Sequence, residues 1–397
     1  MTIEPDNQTI DTLSAEAQDD LLSRGFNRRD LGRIAAVFGT GAAMVAASGT
    51  PAWASGGVPD AAPTAKTRIG ANECWTGPLM PGQNAAHAMI AQSNRYAPHD
   101  ERGDFIKAVM KVEGVPYDHV APWPGSSDPL CRSVITFCSP TKGLVTANPT
   151  FELAGRTAAW LGAPVKEVPL LPDFRHDVKG MLAANPNAGL YYICTPNNPT
   201  GTITPIEDIV WLLENKPAGS MVLVDEAYTH FAGVPVASQL VTKYKDVIVM
   251  RTFSKIFGMA GMRMGFIMTN PDNIAKMMRY DGGMQSGALP LPSLVCATAS
   301  LLDTAGIAKR KAEMEVARAY ALDALKKKGI KTMPTKANMF MVDWGNKTAK
   351  EMQGKFRAQS VEIGRNWPIW PNMSRITVGS MEDMKNFALA LDKVWTA

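Results

Sequence analysis

The chain has 397 residues, of which 46% are hydrophobic and 20% charged. This is ordinary globular composition, and its length predicts two or three domains rather than a disordered or fibrous chain. The formal net charge of +4 is small and the basic residues are scattered, so the sequence argues against nucleic-acid binding and allows small anionic ligands.

In chain order, residues 1–54 are predicted to be an export signal rather than part of the fold. Arg28 and Arg29 precede an apolar stretch over 34–48, and the small residues up to Ala54 supply a cleavage site. The order resembles a twin-arginine (Tat) signal; the alternative is an amphipathic helix with a chance arginine pair. The apolar run is about 15 residues, short of a membrane span. The resemblance implies the Tat export machinery as a partner, folded export with any cofactor already inserted, and a periplasmic protein without stable membrane association after cleavage.

The mature chain is predicted to contain a large α/β domain over residues 101–305. Residues 55–85 are rich in Gly, Pro and Ala and indicate an extended arm, and residues 55–100 are assigned to that arm and to part of a small domain. Short apolar segments alternate with helix-length segments, which predicts a mainly parallel sheet covered on both faces. The predicted helices are 104–112 and 130–139, and the predicted strands are 143–148, 190–194, 221–225 and 247–251.

The remaining residues, 306–397, are predicted to form a smaller α+β domain together with the N-terminal arm. A long amphipathic helix is expected over 306–328. The elements expected after it are strands 339–342 and 375–378, a helix over 347–358 and a final helix from Met381. The five cysteines and five histidines show no metal-binding spacing, so no metal site is predicted and buried free thiols are favoured over a disulfide.

The segment from Arg251 to Phe266 carries the clearest chemical signal. Lys255 follows a predicted strand and lies among apolar neighbours, so its ammonium is expected to be partly desolvated and its pKa lowered. A lysine that is neutral near pH 7 can form a Schiff base with an aldehyde. The planar guanidinium of Arg263 suits a phosphate, and Ser254 can add a hydroxyl to the same group. A solvated surface lysine is the alternative.

Other polar residues follow predicted strands or precede a helix. Asn198 lies in an Asn-Pro turn after the strand at 190–194, and Asp225 ends an apolar strand, where a carboxylate is costly unless paired. Ser127 and Asp128 open a helix after Gly125 and form a possible anion site, although both are also ordinary N-cap residues.

These segments, in this order over roughly residues 68–380, resemble the class I/II (fold type I) aminotransferases, closest to the histidinol-phosphate aminotransferase branch. The resemblance implies pyridoxal 5'-phosphate as cofactor and Lys255 as the catalytic residue that holds it. It implies that Asp225 pairs with the ring nitrogen, and that Asn198 and Tyr228 contact the ring oxygen. Cofactor-binding roles are also implied for Ser127, Asp128, Phe151, Ser254, Arg263 and Tyr96.

The resemblance also implies where the substrate and a second subunit bind. Arg375 is expected to clamp the α-carboxylate of the substrate, with Arg365 and Asn72 nearby. Tyr96 is expected to reach the phosphate of a neighbouring subunit, which predicts a homodimer. For both arginines and for Tyr96, an ordinary surface position is the alternative.

Two segments depart from the family pattern. An Asn and a Pro are missing from the segment Asn72–Gly77, and Leu291 stands where the family has a tyrosine. Both lie near the substrate in the family, so the cofactor apparatus is kept while the substrate pocket has changed. The sequence therefore predicts an exported aminotransferase that moves an amino group from an amino acid, or an amino-acid-derived side chain, to a 2-oxo acid. The alternatives are a histidinol-phosphate-type aminotransferase, a lyase, racemase or decarboxylase of the same fold acting on a secreted metabolite such as a siderophore, and a non-catalytic cofactor-binding protein.

Overall fold

The computed structural model describes residues 13–40, 66–280 and 289–395. Its α-helices, numbered in chain order, are α1 (Ala15–Ser23), α2 (Arg28–Thr40), α3 (Met80–Ile90), α4 (Glu101–Glu113), α5 (Ser127–Phe137), α6 (Leu153–Trp160), α7 (Val178–Ala184), α8 (Ile206–Asn215), α9 (Thr229–Ala232), α10 (Pro271–Met278), α11 (Leu291–Leu302), α12 (Thr304–Lys327), α13 (Ala349–Ala358) and α14 (Met381–Val394). The strands are β1 (Thr67–Ile69), β2 (Val120–Trp123), β3 (Gly143–Asn148), β4 (Val165–Pro169), β5 (Ala188–Cys194), β6 (Met221–Asp225), β7 (Val247–Thr252), β8 (Gly265–Thr269), β9 (Lys331–Thr332), β10 (Met339–Asp343), β11 (Val361–Ile363) and β12 (Met373–Thr377).

A seven-stranded sheet forms the centre of the large domain, in the order β2-β8-β7-β6-β5-β3-β4. Pairs from β4 to β7 are parallel, whereas β8 runs antiparallel to both β7 and β2. All residues of β5, β6 and β7 are buried, because helices cover both faces of a parallel sheet and each face needs apolar side chains. The predicted mainly parallel α/β sheet is confirmed.

The C-terminal part forms the smaller α+β unit that the sequence predicts. Strands β9, β10 and β12 make an antiparallel sheet, and β1 pairs in parallel with β11. The N-terminal arm therefore contributes a strand to this unit. Helices α12 and α14 pack against each other beside it.

The arm is less extended than the sequence predicts. Residues 80–90 form the helix α3, with a proline in its first turn where the missing N–H costs nothing. This helix packs against α11, which begins at Leu291 and was not predicted. The expectation of an extended arm over 55–85 is therefore wrong for residues 80–85, while residues 55–65 lie outside the described residues.

Residues 13–40 also differ from the expectation that the first 54 residues stand apart from the fold. Apolar side chains from Leu13 to Ala35 are buried against the large domain. The Arg24 guanidinium donates to the carbonyl oxygens of Ile135 and Cys138, both at 2.7 Å, at the C-terminal end of α5. Arg33 donates to the Trp160 carbonyl at the end of α6 at 2.5 Å. Cations are favoured at the exposed carbonyls of a helix C-terminus, so directed hydrogen bonds hold this contact in addition to apolar packing.

All five cysteines lie in the described residues and none is paired; four are buried, as the sequence predicts. Among the same residues, no single helix is both long and apolar enough to cross a membrane. Only α11 and α12 taken together, with an 80° bend between them, reach that length and composition.

Candidate active site

A cavity of about 400 Å³ lies at the carboxyl ends of β5, β6 and β7, and the residues after these strands line it. The carboxyl ends of neighbouring parallel strands meet at one edge of a sheet, which is where open α/β sheets bind ligands. The predicted site residues that line this cavity are Asn72, Ser127, Phe151, Asn198, Asp225, Tyr228, Ser254, Lys255, Arg263, Arg365 and Arg375.

Lys255 lies in the turn after β7, with its Nζ 3.2 Å from the Asn72 carbonyl oxygen. Phe253 and Ile256 beside it are fully buried. The lysine is partly open to the cavity, yet burial and, to a smaller extent, the positive charge of Arg375 lower its pKa to about 8. The turn needs Gly258, whose φ is +68° and whose missing Cβ would lie 2.4 Å from the Gly77 carbonyl oxygen.

Asp225 ends β6 at the floor of the cavity and is 3% exposed. Its carboxylate accepts hydrogen bonds from the Tyr192 hydroxyl at 2.8 Å and from the Ala227 N–H at 3.1 Å. Burial raises its pKa to about 6, and the Tyr192 hydrogen bond is the largest opposing influence. A buried carboxylate that is shielded from water and still has unused lone pairs is suited to a buried N–H partner.

Asn198 and Arg375 meet at the other wall. The Asn198 Oδ1 accepts from Nη1 of Arg375 at 2.7 Å, and the Gly70 carbonyl accepts from its Nη2 at 2.7 Å. The Arg375 Nε is buried and finds no partner among the described residues. Burial lowers the pKa of Arg375 to about 10, so an incoming carboxylate would stabilise its charge.

Asn72 and Tyr228 close the space above Lys255. The Asn72 Nδ2 donates to the Tyr228 hydroxyl at 3.1 Å, and Thr377 donates to the Asn72 Oδ1 at 3.0 Å. The Lys255 Nζ lies 5.4 Å from the centroid of the Tyr228 ring. Asn72 therefore fixes both the lysine and the tyrosine, a larger role than the substrate contact predicted for it.

The opposite end of the cavity is polar and faces the start of α5. Ser127 and Ser254 line it with Arg263, whose Nη1 donates to the Ala260 carbonyl at 2.9 Å. Gly125 has a φ of +91°, and a Cβ there would lie 2.3 Å from Nη2 of Arg263. The close approach of glycine, arginine and a helix N-terminus makes a cradle for a phosphate.

Two predicted residues stand apart from this arrangement. The Asp128 carboxylate accepts from Nε of Arg132 at 2.9 Å and does not line the cavity, because it pairs one turn along its own helix. Tyr96 is fully exposed on a loop after α3 and is also outside the cavity. The prediction that Tyr96 serves a neighbouring subunit stays a prediction.

Sequence reasoning missed several residues that the tertiary structure brings to the site. Ser126, Thr252 and Cys194 line the cavity, and Tyr192 holds Asp225 from the adjacent strand. Ser126 and Thr252 adjoin motifs that the sequence did reveal. Tyr192 carries no local signal, because it reaches Asp225 only through the pairing of β5 with β6.

This fold and site define a pyridoxal-phosphate enzyme of fold type I. The residues present fit the cofactor: a lysine with a lowered pKa, a buried acid at the floor and a glycine-lined anion cradle. A family model described as "Aminotransferase class I and II" matches residues 66–391, and the chain belongs to that family.

Relatives and solved structures agree with this assignment. The chain is similar to the histidinol-phosphate aminotransferase of Symbiobacterium thermophilum, at 29% identity over 82% of this chain and 89% of the relative. It is 31% identical to the histidinol-phosphate aminotransferase of Desulfitobacterium hafniense, over 76% of this chain and 84% of the relative. A crystal structure of histidinol-phosphate aminotransferase from Sinorhizobium meliloti in complex with pyridoxal-5'-phosphate aligns with a TM-score of 0.74 at 25% identity, covering 83% of this chain and 91% of that one.

Proposed function

We propose that this aminotransferase is exported and moves an amino group from an amino acid, or from an amino-acid-derived side chain, to a 2-oxo acid in two half-reactions. The observation that carries the amino-transfer chemistry is the position of the Lys255 Nζ, in one cavity with Asp225 and Arg375. A proton carrier, a buried anion and a carboxylate-binding cation are the groups that the reaction requires.

Each of these residues has a distinct task. Bound pyridoxal phosphate supplies an aldehyde that exchanges amines and a ring that accepts electrons. Lys255, with a pKa of about 8, is neutral in a useful fraction near pH 7, so its Nζ can take a proton from the substrate carbon and return it. Arg375 orients the substrate carboxylate through the N–H groups that its protein partners leave open. Asp225 keeps its negative charge against the cofactor's ring N–H.

The test is a panel of amino donors offered in turn with 2-oxoglutarate and with phenylpyruvate, with new amino and keto acids detected by mass spectrometry. The expected result is exchange that follows double-displacement kinetics. Lys255→Ala should lose the yellow colour of the bound cofactor and slow exchange at least 100-fold, since general acid–base transfer contributes about that much. Lys309→Ala, an exposed lysine on α12, is the control. Full colour and turnover in Lys255→Ala would refute the assignment.

A histidinol-phosphate-type reaction is the second candidate, and the names of the relatives favour it. The changed segments at Asn72–Gly77 and Leu291 count against it. Histidinol phosphate belongs in the same donor panel as a direct comparison. A lyase or decarboxylase would instead release ammonia or carbon dioxide without any need for a 2-oxo acid.

Export is proposed from the N-terminal segment. Arg28 and Arg29 are exposed at the start of α2, where a receptor can reach them although nearby apolar side chains are buried. Cell fractionation should find a periplasmic protein that begins near Ser55, and replacing both arginines by lysine should retain it in the cytosol. An uncleaved cytosolic enzyme would overturn the proposal.

A homodimer is proposed as well, supported by the full exposure of Tyr96, an aromatic side chain that favours burial. Sedimentation velocity of the purified enzyme should give twice the chain mass. Tyr96→Phe should weaken cofactor binding if its hydroxyl reaches the partner's phosphate. A monomer with full activity would contradict both expectations.

A further inference from the structure

A second cavity, of about 410 Å³, adjoins the active site on the far side of Phe151. Phe151 lines both cavities and therefore stands between them. The walls of that cavity are largely apolar and include Pro149, Trp367 and Ile369. We call it the side cavity.

An ion pair stands between the two cavities. Nη2 of Arg365, which lines the active-site cavity, lies 2.8 Å from Oε1 of Glu152, which lines the side cavity. The Arg365 guanidinium also stacks 4.7 Å above the Trp367 ring, and that of Arg375 lies 5.5 Å from the same ring. The charge of Arg365 is thus already matched by the protein, whereas the buried Nε of Arg375 has no partner among the described residues.

The side cavity also holds hydrogen-bonding groups that the protein leaves unused. Thr146 Oγ1 and Trp367 Nε1 are buried without a partner among the described residues, on side chains that are 4% and 3% exposed. Buried polar groups are usually paired, so these two indicate a ligand that brings polar atoms into an otherwise apolar space. The lining contains two carboxylates, Glu152 and Glu167, and one guanidinium, that of Arg156.

We propose that the side cavity is the subsite for the substrate side chain, and that the Glu152–Arg365 pair makes it select large uncharged aromatic or cationic side chains over carboxylate or phosphate ones. This inference rests on the amino-acid transamination proposed above. The substrate's α-carboxylate pairs with Arg375, and its side chain passes Phe151 and lies against Trp367.

An anionic side chain is disfavoured for a specific reason. It would have to share the Arg365 guanidinium with Glu152, and the two negative charges would then lie close together at the edge of an apolar cavity. A cationic group would instead be attracted by the Glu152 carboxylate without breaking the pair. Because the side chains of Arg365 and Glu152 are 53% and 39% exposed, solvent weakens the effect, and an about 3- to 10-fold change is expected rather than a larger one.

The experiment measures binding of three substrate analogues that lack the amino group, by calorimetry on the purified holoenzyme. Succinate, 3-phenylpropionate and 4-guanidinobutyrate share a carboxylate for Arg375 and differ in the charge of the far end. The variants are Glu152→Gln, which keeps shape and removes the charge, and Glu315→Gln, an exposed acid on α12 that serves as the matched control.

The wild type should bind 3-phenylpropionate and 4-guanidinobutyrate more tightly than succinate. Glu152→Gln should tighten succinate about 3- to 10-fold and weaken 4-guanidinobutyrate by a similar factor, while Glu315→Gln leaves the order unchanged. A wild-type preference for succinate, or an order unaffected by Glu152→Gln, would overturn the inference.

Failure of the proposed function would look different. If no donor exchanges its amino group but the analogues still bind in the expected order, amino transfer is wrong and the subsite stands. If exchange proceeds with glutamate and histidinol phosphate as well as with aromatic donors, and Glu152→Gln changes no ratio of kcat/KM, then amino transfer stands and the subsite is wrong.

Discussion

Tyr192 controls the ionisation of Asp225, and replacing it by phenylalanine tests how the site keeps a buried acid charged. The hydroxyl donates to the Asp225 carboxylate at 2.8 Å in a place without solvent. A hydrogen bond to a charged group contributes about 1.5–3 kcal/mol, and one pKa unit corresponds to about 1.4 kcal/mol. Removing it should raise the pKa of Asp225 by roughly 1–2 units from its value of about 6.

At pH 7 the change becomes visible in cofactor affinity. With a pKa of about 6, Asp225 is about nine-tenths ionised. In Tyr192→Phe the ionised fraction should fall to between roughly one half and one tenth, and cofactor affinity with it, by about two- to tenfold. The loss should shrink at pH 9, where both proteins carry the charged acid.

The assay is a titration of cofactor-free protein with pyridoxal phosphate between pH 5 and 9, followed by absorbance. Tyr191→Phe is the matched control, because Tyr191 is equally buried on the same strand, points to the opposite face and donates to the Asn185 carbonyl instead. This account of Asp225 would be refuted if the two variants gave the same pH dependence of cofactor affinity, or if that of Tyr192→Phe equalled that of the wild type.

Three further outcomes are expected. Asp225→Asn should stabilise the cofactor-free protein. Burial raises the pKa of Asp225 from 3.8 to about 6, so the wild type loses about 3 kcal/mol of stability as pH rises through that range to pH 7 and above. The unfolding free energies of both proteins at pH 4 and pH 7.5 measure this difference. Arg251→Met should cost about 3–5 kcal/mol in urea unfolding, because it leaves the buried carboxylates of Glu113 and Glu226, both 2.8 Å from the guanidinium, without a cation; an unchanged midpoint would contradict this. Arg24→Ala should expose α1 and α2 to hydrogen exchange while the central sheet stays protected, since three side-chain hydrogen bonds to the large domain are lost; uniform protection would show that the apolar contacts alone hold the segment.

The packing of residues 13–35 bears on how export would proceed. Arg24 and Arg33 donate hydrogen bonds to carbonyls at the ends of α5 and α6, two helices of the large domain. These contacts require both helices to be formed. Cleavage near Ser55 would uncover the apolar surface beneath it, unless the segment stayed bound.

Much of the architecture followed from local patterns in the sequence. The alternation of short apolar runs with helical segments predicted the parallel sheet, since both faces of such a sheet are buried and its strands are apolar throughout. Lys255, and Asp225 at the end of β6, were indicated by a charged group in apolar surroundings, whereas Asn198 was indicated by the family resemblance of its Asn-Pro turn. The predicted bounds of these helices and strands agree with the observed ones to within a few residues; α12, for example, is predicted from residue 306 and observed from Thr304.

What only the tertiary structure decided are the contacts between residues far apart in the chain. Tyr192 reaches Asp225 through strand pairing, and Glu152 reaches Arg365 across 213 residues. Residue type and spacing determined which chemistry the chain can perform. The arrangement of the site depends on long-range pairings of charged and polar groups, because their energies depend on distance and burial that no local pattern encodes.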